Sequence, residues 1–242
     1  MNEYMKALFK KEIQFYLNNP LGYITLVLFG VFANFMFVKD IFVYGSASMR
    51  PFFEILPWLF MIFIPALSMR LFAEERRTNT LELLLSLPIS EMQIVISKFL
   101  ATLTMTALGL VLTLGLPISI YALTNQAGAR IYLPEVFVGY FGQLLLASGF
   151  IAISLFYSVK TKNQIISFLG SVITIFFLII FSTDFAASAL PQIVQEVLNY
   201  LSPLTQVDNF IKGVLDIRSL FYFVSMSLLF LFLTVVDLEK RP

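Results

Sequence analysis

Six long apolar runs constrain the fold of this chain more than any other feature. A helix needs about 20 mainly apolar residues to cross the hydrocarbon core of a bilayer, and each run is close to that length or longer. We therefore predict an all-α integral membrane protein with six transmembrane helices, built as a single domain over residues 1–242. The six predicted spans are Leu21–Val38, Phe52–Phe72, Ile94–Leu123, Glu135–Val159, Ile165–Ser182 and Leu220–Val236.

Residue composition favours the same class of protein. Hydrophobic residues make up 59% of the 242 residues and charged residues 13%, whereas soluble domains are roughly 45–50% apolar and about 25% charged. The chain contains no Cys and no His, so disulfides, thiol nucleophiles, imidazole bases and the usual zinc ligands are excluded. We expect no bound metal or cofactor and no catalytic residues. With 16 basic and 15 acidic residues, net charge gives no indication of a nucleic-acid partner, and we expect none.

The distribution of Lys and Arg predicts the orientation in the membrane. If both termini are cytoplasmic, 11 of the 16 basic residues lie on the inner side and five on the outer side. Cytoplasmic loops carry such an excess of basic residues, so we predict that both termini are cytoplasmic. The outer five are Lys39, Arg50, Arg130, Lys212 and Arg218.

The first 19 residues have the pattern of an amphipathic helix. Apolar Tyr4, Leu8, Ile13 and Tyr16 alternate with the charged residues Lys6, Lys10, Lys11 and Glu12. Such a helix lies in the membrane interface with its cations near lipid headgroups, although an ordinary solvated helix is an alternative. Pro20 disfavours helix at the preceding residue, so this helix should stop there.

A second patterned interval, residues 183–219, separates the last two predicted spans. A helix is predicted from Pro191, a break at Pro203, and a second short helix over Thr205–Lys212. We expect an outer helical cap, which either closes a pathway or simply covers the surface. Near the start of the second span, Glu54 is expected to reach lipid headgroups or to pair with Arg50.

A charged interval, Phe72–Lys98, interrupts the apolar runs on the predicted inner side. Asn79 suits the left-handed conformation that closes a helix, and Thr80 is a good N-cap for the helix that follows. Glu82 lies in that helix's first turn, where the helix dipole favours a carboxylate. Ser90 is expected to cap the next membrane helix, again with an acidic residue in the first turn.

The short helix predicted at Leu81–Leu87 is apolar on one side. Leu81, Leu84 and Leu85 share that side, and Pro88 ends the helix. A short apolar helix with charged flanks suits insertion into a groove of a soluble partner. A tight connector that packs only on its own chain is equally compatible with the pattern.

The letters of this interval, AEERRTNTLELLLSLP from Ala73 to Pro88 with Lys98 ten residues further on, closely resemble the signature of type-2 ABC transporter permeases. The resemblance implies six membrane helices and a cytoplasmic coupling region, residues 73–93, that docks on an ATP-binding subunit and transmits force. The one departure is Asn79, where the family usually has Gly. By resemblance the coupling residues are Glu74, Glu75, Arg76, Thr80, Leu81, Glu82, Leu84, Leu85, Pro88 and Lys98.

Further motifs are similar to those of the gliding-motility-associated permeases within that family. This resemblance implies a bacterial cytoplasmic (inner) membrane protein, working in export or in mechanical work connected with gliding. The substrate and the direction of transport stay open. The motifs are Asn18–Tyr23, Pro57–Phe60, Pro65–Arg70, Asn163–Ile165 and Gly213–Arg218.

The sequence lacks a Gly-x-x-x-x-Gly-Lys-Ser/Thr phosphate loop, so we expect no ATP hydrolysis by this chain itself. The resemblance implies an ABC ATP-binding subunit that carries ATP and Mg²⁺. It also implies a second permease subunit, either an identical copy, a related permease or an auxiliary subunit, in the same lipid bilayer.

Two other classes were weighed against the permease. An intramembrane hydrolase lacks a nucleophile and base, with only Asp184 and Asp208 as a candidate acidic pair. A secondary transporter or channel driven by an ion gradient is the main alternative. Such proteins usually have internal repeats and charges at the middle of the membrane, and neither is present in the sequence.

Overall fold

The computed structural model describes residues 3–44, 48–126, 132–180 and 192–240, and within these ranges the chain forms helices and turns without strands. The helices are α1 Glu3–Asn18, α2 Pro20–Tyr44, α3 Arg50–Ser68, α4 Arg70–Arg77, α5 Thr80–Leu85, α6 Glu91–Val111, α7 Gly115–Gln126, α8 Leu133–Lys160, α9 Gln164–Ile180, α10 Gln192–Leu201, α11 Pro203–Ile211 and α12 Ile217–Glu239.

Five helical stretches in the described ranges are long and apolar enough to cross a membrane. They are Gly22–Lys39, Arg50–Arg77, Glu91–Ala122, Leu133–Lys160 and Ile217–Glu239. The remaining predicted span corresponds to α9, which has 17 residues and is therefore about 26 Å long against a hydrocarbon core of about 30 Å. Ser182, the predicted end of that span, lies outside the described residues. The count of six spans therefore stays a prediction.

Helix α8 is the most buried of the five long helical stretches, and two of its glycines allow close contacts with neighbouring helices. A Cβ atom on Gly139 would lie 2.3 Å from the ring of Phe53 on α3. A Cβ atom on Gly142 would lie 2.3 Å from Cβ of Phe210 on α11. Helix α8 also packs against α4, α6, α9 and α12. The bundle is thus assembled around α8.

Helix α4 follows α3 after Met69, whose backbone keeps right-handed helical angles of φ −54° and ψ −31°, and α8 supports this junction. The Ser158 hydroxyl of α8 donates to the Met69 carbonyl oxygen at 2.9 Å. The same hydroxyl oxygen accepts from the backbone N–H groups of Phe72 and Ala73, at 3.0 and 3.2 Å. Because Ser158 is buried, the base of α4 is fixed to the centre of the bundle.

The predicted third span is divided into α6 and α7, and the break precedes Pro117. Residues 112–114 form a turn, and Pro117 is the third residue of α7. At that position a missing N–H costs nothing, because the first N–H groups of a helix have no intrahelical acceptor. The Thr113 hydroxyl lies within the turn and 2.9 Å from the Tyr140 hydroxyl of α8.

A buried carboxylate joins the start of α8 to the start of α3. Glu135 accepts hydrogen bonds from the Ser48 hydroxyl at 2.7 Å, from the Met49 N–H at 3.2 Å and from Nε of Arg50 at 3.1 Å. Of the two alternatives expected for Glu54, pairing with Arg50 is therefore wrong. Glu54 is exposed on α3, whereas the Arg50 side chain reaches across to α8.

The interval between the last two predicted spans contains α10 and α11. Helix α11 starts at Pro203, two residues before the predicted Thr205, because the Ser202 side chain caps it by accepting from the Leu204 N–H at 3.2 Å. Helix α11 packs on α8. Residues 183–191, including the predicted start at Pro191, lie outside the described residues. The interval's role as a cap stays a prediction.

Candidate coupling site

One residue with left-handed backbone angles, Asn79, forms the turn between α4 and α5. Asn79 has φ 56° and ψ 23°, which confirms the conformation predicted for it. Thr80 was expected to be the N-cap, but it is the first residue of α5 and Asn79 occupies the cap position. The reversed backbone turns the Thr80 hydroxyl back toward α4, where it donates to the Glu75 carbonyl oxygen at 3.4 Å and lies 2.9 Å from the Thr78 hydroxyl.

Helix α5 ends at Leu85, two residues before the predicted Leu87. The Leu87 N–H bonds to the Leu84 carbonyl at 3.3 Å, a tighter turn than the α-helix. Pro88 has no N–H with which to continue the helix. The chain then enters α6, where the Ser90 side chain accepts from the Gln93 N–H as predicted.

The apolar side of α5 faces its own chain. Leu81 is 8% exposed, and Leu84 and Leu85 are partly buried against the bundle core. Leu83, which sequence analysis did not select, is 69% exposed. On the outward side the polar Thr80 and Glu82, together with Pro88, are also exposed. The outward side of α5 therefore presents one exposed apolar side chain, Leu83, among polar residues, and Leu87 just after the helix is also exposed.

Lys98 on α6 lies at the centre of a buried ionic cluster beside this turn. Its Nζ donates to Glu12 Oε1 of α1 at 2.9 Å, to Glu75 Oε1 of α4 at 2.8 Å and to the Leu71 carbonyl oxygen at 2.8 Å. The Lys98 side chain is 1% exposed. All three ammonium donors are therefore used, and three helices are held together by one charge.

Glu12 is the residue of this cluster that sequence analysis assigned to the wrong environment. It was grouped with the charged, solvated side of α1, but it is 6% exposed. Glu12 lies four residues from each of the two other buried residues of α1, Leu8 and Tyr16. This spacing places all three on one helix face, and that spacing was the available signal.

Aromatic contacts attach α1 to the α3–α4 junction. The Arg70 guanidinium lies over the Phe15 ring at 3.5 Å and over the Tyr16 ring at 4.6 Å. The Tyr16 hydroxyl donates to the Leu67 carbonyl oxygen at 2.9 Å and lies 3.3 Å from the Thr102 hydroxyl. Helix α1 also packs against α6 and α2. Its inner face is therefore occupied by protein rather than lipid.

Burial raises the pKa of Tyr16 to about 12, and this predicts a pH dependence of stability. The unfolded chain loses the phenolic proton near pH 10, whereas the folded chain keeps it to about pH 12, so stability should fall as pH rises between these values. We expect Tyr16→Phe to show a shallower alkaline loss of unfolding free energy than the wild type. Tyr4→Phe, at a side chain that is 57% exposed, is the control. Parallel curves of unfolding free energy against pH for all three proteins would contradict a raised pKa at Tyr16.

Two charged neighbours of the turn keep unused hydrogen-bonding capacity. Within the described residues, Oε2 of Glu75 and Nε of Arg76 are buried without a hydrogen-bond partner. Glu74 is half-buried, and its carbonyl oxygen accepts from the Thr78 hydroxyl at 2.9 Å. The end of α4 is thus charged and incompletely satisfied within this chain.

An open groove of about 620 Å³ lies between α1 and the coupling region. One wall is the first half of α1, and the other is α5 with the turn that follows it. The groove is apolar apart from three polar or charged side chains at its edge. Its lining residues are Tyr4, Ala7, Leu8, Lys11, Glu75, Thr80, Leu83, Leu84, Leu87 and Ile89.

The apolar helices define a multi-pass membrane protein that carries a structured charged element at one end of its bundle. A family described as ABC-2 family transporter protein has a model that matches residues 8–236. This chain therefore belongs to the ABC-2 transporter family. A comparison with curated proteins finds no match.

Proposed function

We propose that this chain is the permease subunit of an ABC-2 transporter, and that a separate ATP-binding subunit docks at the groove between α1 and α5. ATP and Mg²⁺ belong to that partner, and this chain has no enzymatic activity of its own. ATP hydrolysis by the partner drives either the export of a substrate or mechanical work across the membrane. The observation that carries the proposal is the exposed Leu83 beside an apolar groove at the end of the bundle.

The docking surface has the composition of an interface with a soluble protein. Leu83, Tyr4 and Leu87 are 69, 57 and 46% exposed, and together they supply large apolar side chains around the groove. Lys11 is 60% exposed on its rim. An apolar centre with a charged rim is the usual anatomy of a protein interface. The buried side of α5 keeps this surface in a fixed position.

Movement of α5 is transmitted into the membrane through α4 and α6. The Thr80 hydroxyl ties α5 to the last turn of α4, and Lys98 ties α4 to α1 and α6. Closure of the ATP-binding subunits on ATP would displace α5, and these contacts would move the three helices together. Glu75 and Thr80 therefore act in transmission, and Leu83 acts in docking.

The coupling end is the cytoplasmic end in this proposal, and the membrane is the bacterial inner membrane. Lys160 at the end of α8 and Asp237 near the end of α12 lie 4.0 Å apart, while Ser158 of α8 contacts α4. The chain's last helix therefore ends on the same side as α4, which suits cytoplasmic termini and the excess of basic residues on that side. A second permease subunit, identical or related, completes the assembly. The motif resemblance favours a role connected with gliding motility.

Co-purification of the ATP-binding subunit tests the docking surface. We expect Leu83→Glu to reduce the amount of ATP-binding subunit recovered with the tagged chain at least about tenfold, because a buried, unpaired carboxylate at an interface costs several kcal/mol. The measurement is quantitative mass spectrometry after extraction from the native membrane in mild detergent.

The matched control is Leu215→Glu, the same change at a leucine that is 64% exposed in the turn between α11 and α12. It should retain the wild-type amount of partner. Equal recovery with both variants would contradict docking at Leu83. If no ATP-binding subunit accompanies the wild type in several gentle detergents, and transport instead follows an ion gradient, the secondary transporter becomes the better assignment.

A further inference from the structure

A second groove, of about 760 Å³, lies at the end of the bundle opposite α5. It is formed by the last residues of α10, by α11 and by the start of α12. Gly213 precedes α12, and a Cβ atom added to it would lie 3.0 Å from Cα of Glu135 at the start of α8. At its other end, α12 finishes beside the last residue of α8. Its lining includes Tyr200, Gln206, Asn209, Asp216, Arg218 and Phe221.

The groove contains one cation and one carboxylate. Within the described ranges the guanidinium of Arg218 makes no ion pair or hydrogen bond, and this residue is exposed. Asp216 lies two residues away; it accepts from the Arg218 backbone N–H at 2.9 Å and from the Asn209 side-chain amide at 3.0 Å. Each carboxylate oxygen still has a free lone pair. The groove therefore has no net charge, but the separate charges of Arg218 and Asp216 can each bind an oppositely charged group of a ligand.

Hydrogen bonds between the walls hold the groove open in its present shape. The Tyr222 hydroxyl donates to the Leu201 carbonyl oxygen at the end of α10. The Gln206 amide donates to the Tyr200 carbonyl at 3.2 Å, and its oxygen accepts from the Ser219 hydroxyl at 3.0 Å. A preformed polar groove with a few placed charged groups has the character of a ligand site.

An apolar track leads from this groove along the membrane-spanning helix α12. Phe221 lines the groove and is 67% exposed, and Leu228 and Phe232 are 57 and 65% exposed. The spacings of seven and four residues place the three side chains on one helix face. A ligand whose polar part lies in the groove could therefore extend an apolar part along α12 into the bilayer.

We propose that this groove binds the headgroup of a zwitterionic phospholipid that carries a primary amine. Arg218 binds the phosphate, because a guanidinium presents paired N–H donors that match phosphate oxygens. The ammonium group donates to Asp216 and to neighbouring amide oxygens, and the acyl chains follow Phe221 and Leu228. The balance of one cation with one carboxylate favours a zwitterion over an anionic lipid. The proposal of this lipid site does not rest on the proposed docking of an ATP-binding subunit.

Lipid binding to the delipidated, detergent-purified full chain tests the proposal. Native mass spectrometry would measure dioleoyl phosphatidylethanolamine, phosphatidylcholine and phosphatidylglycerol in parallel, all with identical acyl chains. We expect the wild type to bind phosphatidylethanolamine most tightly, because choline has no N–H donor and glycerol has no charge to meet Asp216. Arg218→Gln should weaken phosphatidylethanolamine binding about tenfold, as expected for loss of one charge-assisted contact. Asp216→Asn keeps a side chain able to cap α12 and should remove the preference over phosphatidylcholine.

Lys212→Gln is the matched control, since Lys212 is 53% exposed and pairs with Asp208 outside the groove lining. It should bind all three lipids like the wild type. The proposal is overturned if Arg218→Gln and Lys212→Gln bind phosphatidylethanolamine equally, or if the wild type does not distinguish the three lipids. It is also overturned if soluble glycerophosphoethanolamine competes at the concentration of the lipid, since the acyl track would then have no part in binding. Unchanged unfolding midpoints for the variants would show that binding, and not folding, was measured.

Discussion

Replacing Lys98 with methionine is expected to destabilise the folded protein by about 3–5 kcal/mol, because it leaves two buried carboxylates without their shared cation. Lys98 is 1% exposed and bonds to both Glu12 and Glu75. The effect should be measured as the free energy of unfolding in mixed detergent micelles. The loss of stability should be accompanied by separation of α1 from the bundle, which would be detected as faster proteolysis within residues 3–18.

Lys11→Met is the matched control for this experiment. Lys11 lies 3.7 Å from Glu75 and is 60% exposed, so its loss should cost less than about 1 kcal/mol. Adding Glu12→Gln to Lys98→Met should recover part of the lost stability, since one of the unpaired charges is then removed. Equal effects of Lys98→Met and Lys11→Met would show that the cluster does not hold the three helices together.

Gly142→Ala should destabilise the bundle by about 1–3 kcal/mol through overpacking. The added Cβ would lie 2.3 Å from Cβ of Phe210, an atom fixed to the backbone of α11, so α11 must move away from α8. Unfolding midpoints measured in the same detergent would give the size of the effect. Gly115→Ala is the control, because a Cβ there meets no atom within 4 Å. A neutral result at both positions would contradict the close contact of α8 with α11.

Local rules of backbone chemistry account for the parts of the coupling region that were predicted from sequence. The left-handed residue at Asn79 and the cap at Ser90 each depend on one residue and its immediate neighbours. The apolar grouping of Leu81, Leu84 and Leu85 was also correct, since it follows from helical periodicity. Helical periodicity does not determine whether this chain or a partner protein covers the apolar face. Here Leu81 is covered by its own bundle, and Leu83 is the exposed leucine of α5.

The interactions that sequence reasoning missed are between residues far apart in the chain. Glu12 and Lys98 are separated by 86 positions, so nothing local marks Glu12 as the partner of a buried cation. Pairing with nearby Arg50 was one of the two alternatives for Glu54, whereas the partner of Arg50 is Glu135 on another helix. Helix boundaries shifted for a different reason. The Ser202 side chain caps α11, and the left-handed backbone of Asn79 sets the start of α5 at Thr80.

Helix α8 touches both ends of the molecule, and this has a thermodynamic consequence. With 28 residues it is about 42 Å long, and it contacts α4 through Ser158 and the Arg50 side chain through Glu135. Helix α8 also packs on α11 in the wall of the groove beside Arg218, so it couples this groove to the site at α5 whenever its position differs between their bound and free states. Linkage is reciprocal, so a lipid in the groove beside Arg218 and a protein at Leu83 would alter each other's affinity by the same factor.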